Sequence, residues 1–178
     1  FVRRNNDELV ATYGNLVNRV LSFAYRSLDG KVPAPHAEGD RNDQTRNLMA
    51  KADAILDEVG KALSAARFKD GIRAAMELAR EANRYLEDES PWKTIKDDVA
   101  TASNALFVGM YVISALKTAM YPFMPFSSKQ IHYYLGLQGE VEDAGWKLEA
   151  PVPGSDFNRP EPLFRKLEED MIAEPTTS

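Results

Sequence analysis

Asn15 and Arg19 stand one helical turn apart in a segment whose apolar spacing is helical, so their side chains project side by side. A side-chain amide and a guanidinium fork in that spacing can meet the edge of one unpaired base with directed hydrogen bonds. The same pair is also what an ordinary solvated helix face carries. Trp92 directly follows Pro91 in a break between two helical patterns, after the acidic run Glu87-Asp88-Glu89. A tryptophan at such a junction can plug the core. It can also offer its face to a stacked base, an interaction that contributes about 1–3 kcal/mol per base.

Other reactive residue types form no constellation. There is no cysteine, which excludes disulfides, thiol nucleophiles and Cys-based zinc sites. The two histidines, His36 and His132, lie far apart and neither stands in a metal-binding spacing. His132, beside Tyr133 and Tyr134, reads as a packing or surface residue. No phosphate-binding glycine loop and no nucleophile elbow occurs. The carboxylate runs 87–89, 97–98 and 168–170 read as solvated helix ends. With a net charge of −5, the chain is not expected to grip nucleic acid through a general basic surface, and neither DNA nor a membrane is an expected partner. Reading a few exposed bases with local side chains remains open to an acidic protein.

The elements that must position these residues are helical almost throughout. Five helices are expected, over residues 7–27, 43–67, 70–86, 93–120 and 129–135, in an all-α antiparallel bundle with an irregular C-terminal tail. In the first, Leu9, Tyr13, Leu16, Val17, Val20 and Ala24 share one side, and Asn15, Arg19, Ser22 and Arg26 the other. Asn5 or Asn6 is the expected cap of this helix, and Ser127 or Ser128 of the fifth. The second half of the fourth helix is apolar on nearly every side, which marks it as the central helix rather than a membrane span. The bundle is expected over residues 1–138 and the tail over 139–178. The tail holds a Pro-rich turn, an apolar anchor around Leu163 and Phe164, and a short helix carrying Phe164, Leu167 and Met171. It ends in disordered residues 174–178. The chain begins at Phe1 rather than Met and carries no secretory signal, which reads as a fragment or processed product of a cytoplasmic protein.

Four blocks of sequence occur in an order that resembles the anticodon-binding domain of the methionyl-tRNA synthetases. Phe1 through Leu9, followed by Asn15-Leu16-Val17-Asn18-Arg19, is similar to that family's F-x-x-x-x-N-x-[DE]-L start and N-L-x-x-R core. Asn83-Arg84-Tyr85 with Pro91-Trp92 resembles its N-x-Y…P-W segment. Pro122 and Pro125, then Ile131 and Leu135-Gly136, resemble P-x-x-P…I…L-G, and Pro162-Leu163-Phe164 resembles the closing P-L-F, with Arg165 where the family usually has proline. The resemblance implies that Asn15 and Arg19 recognise the anticodon, chiefly its first base, cytosine. It further implies that Trp92 stacks on an anticodon base and that Pro91 fixes the turn presenting it. Arg84 and Glu87 are implied near the same surface.

The partners implied are methionine tRNA, through its C-A-U anticodon loop, and a parent catalytic domain that would use ATP and could carry zinc. The H-I-G-H and K-M-S-K-S signatures are absent from this sequence, so no cofactor is expected on this chain and it is expected to be inactive alone. Two rival readings stay open: the anticodon domain of a synthetase for isoleucine, valine, leucine or cysteine, and a helical protein-interaction module.

Overall fold

The computed structural model describes residues 5–165, with side chains from Glu8 onward. The expected caps Asn5 and Asn6, the carboxylate run 168–170, the helix through Leu167 and Met171 and the end 174–178 lie outside the described side chains or residues. Helix α1 opens as a π-helical segment, Asn5–Gly14, and continues as an α-helix, Asn15–Ser27. Tyr13, Leu16, Val17, Val20 and Ala24 are buried as their spacing predicts, with Leu9 partly so. Asp29 and Gly30 then take positive φ and turn the chain.

Helix α2 spans Asp43–Ser64, and Asn42 caps it by accepting from the Thr45 N–H at 2.8 Å. Ala66, at φ 55°, ends the run three residues sooner than expected and turns the chain into α3, Phe68–Glu89. Lys51 pairs with Glu81, Thr45 with Tyr85, and Gln44 with Asp88. Positions rising along α2 meet positions falling along α3, so the two are antiparallel.

The expected fourth helix is two. A single turn, α4 (Pro91–Thr94), is separated from α5 (Val99–Met120) by a break at 95–98. Asp98 makes the break, because its carboxylate accepts from the Thr101 N–H and hydroxyl and so starts a new helix. Asp98 is thus a cap and not merely a solvated charge. From Ala102 to Met120 every residue of α5 except Tyr111 is buried, and α5 packs on α1, α2, α3, α4 and α6. Among the described residues, the one helix apolar and long enough to cross a membrane is therefore the core of the bundle.

Helix α6, Pro125–Tyr134, starts at a proline and not at a serine cap; Ser127 and Ser128 lie within it. Gly136, at φ 69°, closes it. Its left-handed turn also lets the tail backbone pass, since a Cβ there would sit 2.4 Å from the Asp156 carbonyl oxygen. A last turn, α7 (Val141–Ala144), precedes the extended tail. The described residues hold five helices of ten residues or more and no strand, only a lone bridge between Lys31 and Asp156. The expected all-α bundle of about five helices is borne out.

Two measurements test this packing. α1 packs tightly on α5 at Gly109, where a Cβ would meet Val20 Cγ2 at 2.8 Å. Gly109→Val is expected to cost about 1–3 kcal/mol in urea unfolding, and Val20→Ala to recover part of it. An unaffected midpoint for Gly109→Val would show that the two helices can separate freely. Burial also raises the Tyr85 hydroxyl from 10.0 to about 12, against the opposing bond to Thr45. Since the folded pKa is the higher one, this contribution is complete below pH 10 and lost as pH rises toward 12. Stability should fall across that window by on the order of 2 kcal/mol on this account, and Tyr85→Phe should flatten the fall. An equally steep fall in the variant would assign it to other groups.

Candidate anticodon-recognition site

Helices α1 and α3 run side by side in the same direction, and two polar pairs join them like rungs. The Asn15 Nδ2 donates to Asn83 Oδ1 at 3.4 Å, and the Asn83 Nδ2 donates to the Thr12 carbonyl at 2.9 Å. One turn on, Arg19 Nη1 donates to Glu87 Oε1 at 2.6 Å. The polar side of α1 is therefore not a free solvated face at these positions. Asn15 spends one amide hydrogen on Asn83, and this bond uses neither its second amide hydrogen nor its oxygen.

The Arg19 guanidinium carbon also lies 4.1 Å from the centroid of the Trp92 ring. Each of its contacts is weak. With Arg19 30% and Glu87 61% exposed, the ion pair contributes about 0–1 kcal/mol. A cation–π contact at such a site adds about 0.5–1 kcal/mol. Arg19 is thus oriented without being locked.

Trp92 reaches α1 because the chain folds back at Ser90. This residue takes the left-handed conformation, φ 43° and ψ 56°. Proline at the next position disfavours a continued right-handed helix, and the Ser90 hydroxyl closes the end of α3 by donating to the Glu87 carbonyl at 2.6 Å. Pro91 is buried at the first position of α4, and Trp92 is half-buried, packed on the core. A cleft of about 430 Å³ is lined by Asn18, Arg19, Ser22, Phe23, Arg26 and Trp92.

The tail closes the other flank of α1. Lys117, fully buried on α5, donates to Glu149 Oε1 at 2.6 Å and lies 3.2 Å from His132 Nδ1. Burial pushes the Lys117 ammonium down from its ordinary value, and Glu149 opposes the shift. Ser114 donates to the Glu149 carbonyl and Thr118 to that of Lys147. Farther on, Phe157 sits edge-on to Tyr25 at 5.6 Å and Phe164 lies 5.9 Å from Tyr13. Gly14 admits Phe164, since a Cβ there would be 2.9 Å from its ring.

The structure brings Asn15, Arg19, Glu87, Pro91 and Trp92 together. Arg84 is exposed on α3 and makes no ion pair among the described residues. Sequence reasoning missed Asn83 as the partner of Asn15. The signal was present, because Asn83 and Glu87 repeat on α3 the one-turn spacing of Asn15 and Arg19. It also missed the Lys117–Glu149 pair, although Lys117 is the one charge in the long apolar stretch of α5. Among the described residues, no group of three or more His, Asp and Glu could hold a metal ion.

A guanidinium and an aromatic face share one cleft, and an oriented amide lines the adjoining one. Residues 32–177 match the family described as the anticodon binding domain of methionyl tRNA ligase. A methionine–tRNA ligase from Dehalococcoides mccartyi is 49% identical over 176 residues, 99% of this chain and 31% of that protein. One from Chloroflexus aggregans is 38% identical over 200 residues, 98% of this chain and 33% of that protein. Among solved structures, free methionyl-tRNA synthetase of Mycobacterium tuberculosis superposes with a TM-score of 0.83 at 28% identity, covering 94% of this chain and 34% of that one. The chain belongs to the family of methionyl-tRNA ligase anticodon-binding domains. It spans about a third of the length of the curated relatives it matches.

The geometry makes a prediction that needs no RNA. In a Trp146→Phe background, Arg19→Ala should uncover the Trp92 ring and red-shift its emission, with a stability loss of about 0.5–2 kcal/mol. An unchanged spectrum would mean that Arg19 does not cover the ring in solution.

Proposed function

We propose that this domain recognises the C-A-U anticodon loop of methionine tRNA, as the anticodon-reading part of a methionine–tRNA ligase. The observation that carries the reading is Arg19, held between Glu87 and Trp92 one turn from Asn15. Cytosine offers an amino donor beside a ring-nitrogen acceptor on its pairing edge. The Asn15 oxygen suits the donor, and the donor-only Arg19 suits the acceptor. A base stacking on Trp92 takes over the ring face that Arg19 covers, and the guanidinium turns to the base edge. Both contacts it gives up are weak, so the exchange is cheap. Glu87 holds Arg19 in place until then, Pro91 keeps the turn rigid, and Arg84 borders the site from α3.

In this reading residues 1–138 form the reading bundle and 139–178 a tail that packs back on it or on the catalytic portion. Methionine activation with ATP, and any zinc, belong to that catalytic portion, and the isolated domain is inactive in aminoacylation. The work is cytoplasmic, with no DNA or membrane partner. The M. tuberculosis enzyme has been solved with methionyl-adenylate, in keeping with that division of labour.

The test is binding of a C-A-U stem-loop, followed by Trp92 fluorescence in the Trp146→Phe background. A control loop differs only at the cytosine. The C-A-U loop should quench Trp92 and bind at least about tenfold tighter than the control, and Arg19→Ala should abolish the difference. Equal binding of both loops would remove the assigned roles of Asn15 and Arg19. No binding to either, with the domain folded, would favour a protein-interaction module.

A further inference from the structure

The reading cleft does not end at Trp92. Ser22 and Arg26 line a second cleft of about 590 Å³ whose other walls are Tyr25, Asp29, Arg159 and Pro160. On the opposite side of the reading site, Asn15 and Asn18 line a third, of about 500 Å³, with Gly14, Leu163 and Phe164. Shared lining residues join the three along α1, from Gly14 to Asp29. The tail, from Phe157 at Tyr25 to Phe164 at Gly14, forms one wall of this track.

The Asp29 end carries charge of a particular kind. Arg26 and Arg159 line one cleft, and neither has an ion-pair partner among the described residues, in a chain with 27 acidic and 22 basic residues. Most cations on the helices around them are paired, as Arg19, Arg46, Arg73 and Arg80 are. Two guanidiniums lining one cleft, neither ion-paired among the described residues, match a phosphodiester, which each can meet with two parallel N–H donors. Asp29 opposes them, so the cleft holds a net surplus of one positive charge.

Building on the anticodon reading, we propose that Arg26 and the tail residue Arg159 clasp a backbone phosphate of the RNA whose base lies on Trp92. The tail then has a binding role of its own. Arg159 anchors the strand without reading sequence, while Asn15, Arg19 and Trp92 read the base.

The experiment measures the salt dependence of binding for the C-A-U and control loops, with Arg26→Ala, Arg159→Ala and the double variant. Lys61→Ala, which removes a cation paired with Asp57 on α2, controls for net charge. Each arginine loss should lower the slope of log K against log salt by about 0.7–0.9. It should weaken both loops by one factor and leave their ratio intact, and Asp29→Asn should tighten both. A slope in the double variant equal to that of Lys61→Ala overturns the clasp, even where C-A-U discrimination persists. Saturable binding of inorganic phosphate that depends on both arginines, with the RNA slope unchanged, marks a free-anion site and also overturns it. Failure of both loops to bind the unsubstituted chain removes the anticodon reading and the clasp with it.

Discussion

A helix with no polar face has to be surrounded, and α5 sets that condition for the whole chain. From Ala102 to Met120 only Tyr111 escapes burial, so α1, α2, α3, α4 and α6 each give it an apolar stripe. The few polar side chains on such a helix must then find partners inside the protein, because an unmatched buried donor or charge is costly. Asn104 accepts the His36 N–H in the first connection, at 2.9 Å. Ser114, Lys117 and Thr118 take hold of the tail at Lys147 and Glu149. The polar groups on the core helix therefore decide where the irregular segments run. The tail, once fastened there and by the Trp146 bond to the Leu56 carbonyl, is led back along α1.

The recognition cleft is built on the opposite principle. Its framework is rigid: a buried proline, a left-handed serine and an aromatic pair closing over Gly14. The contacts within it are individually weak and partly solvated, with Arg19 the clearest case. A side chain held by one exposed ion pair and one ring face can exchange both for a ligand at little cost. Asn83 adds geometry to this, because its own bond to the Thr12 carbonyl fixes which end of its amide meets Asn15.

Much of this was legible in the sequence where periodicity speaks. The buried faces of α1, α2 and α3 and the all-round burial of α5 follow from apolar spacing alone. The break before α5 was hidden because the apolar rhythm continues across it, and only the Asp98–Thr101 cap marks it. The start of α6 was misread because Ser127 and Ser128 look like caps, while Pro125 satisfies the first turn by lacking an N–H. The candidate side chains could be named from type and spacing. Their pairing could not, since Asn15–Asn83 and Arg19–Glu87 each span 68 residues and depend on α1 and α3 running in the same direction. Lys117 was visible as a lone charge in an apolar helix, but its partner lay in a tail with no pattern to follow.

Charge ties these levels together. An acidic domain repels an RNA backbone at long range, so on the proposed reading its affinity must come from short-range, directed groups. That is the arrangement along α1. Cations on the neighbouring helices are mostly neutralised within the protein, as Arg73 is by Asp70 and Arg80 by Glu77. Near the reading cleft Arg26, Arg84 and Arg159 have no ion pair among the described residues, and Arg19 is paired only loosely. On that reading, neutralising most of the other helix cations lowers attachment to arbitrary polyanions. On the same reading, the free cations along α1 act at one place, where the base edge decides whether the strand is held.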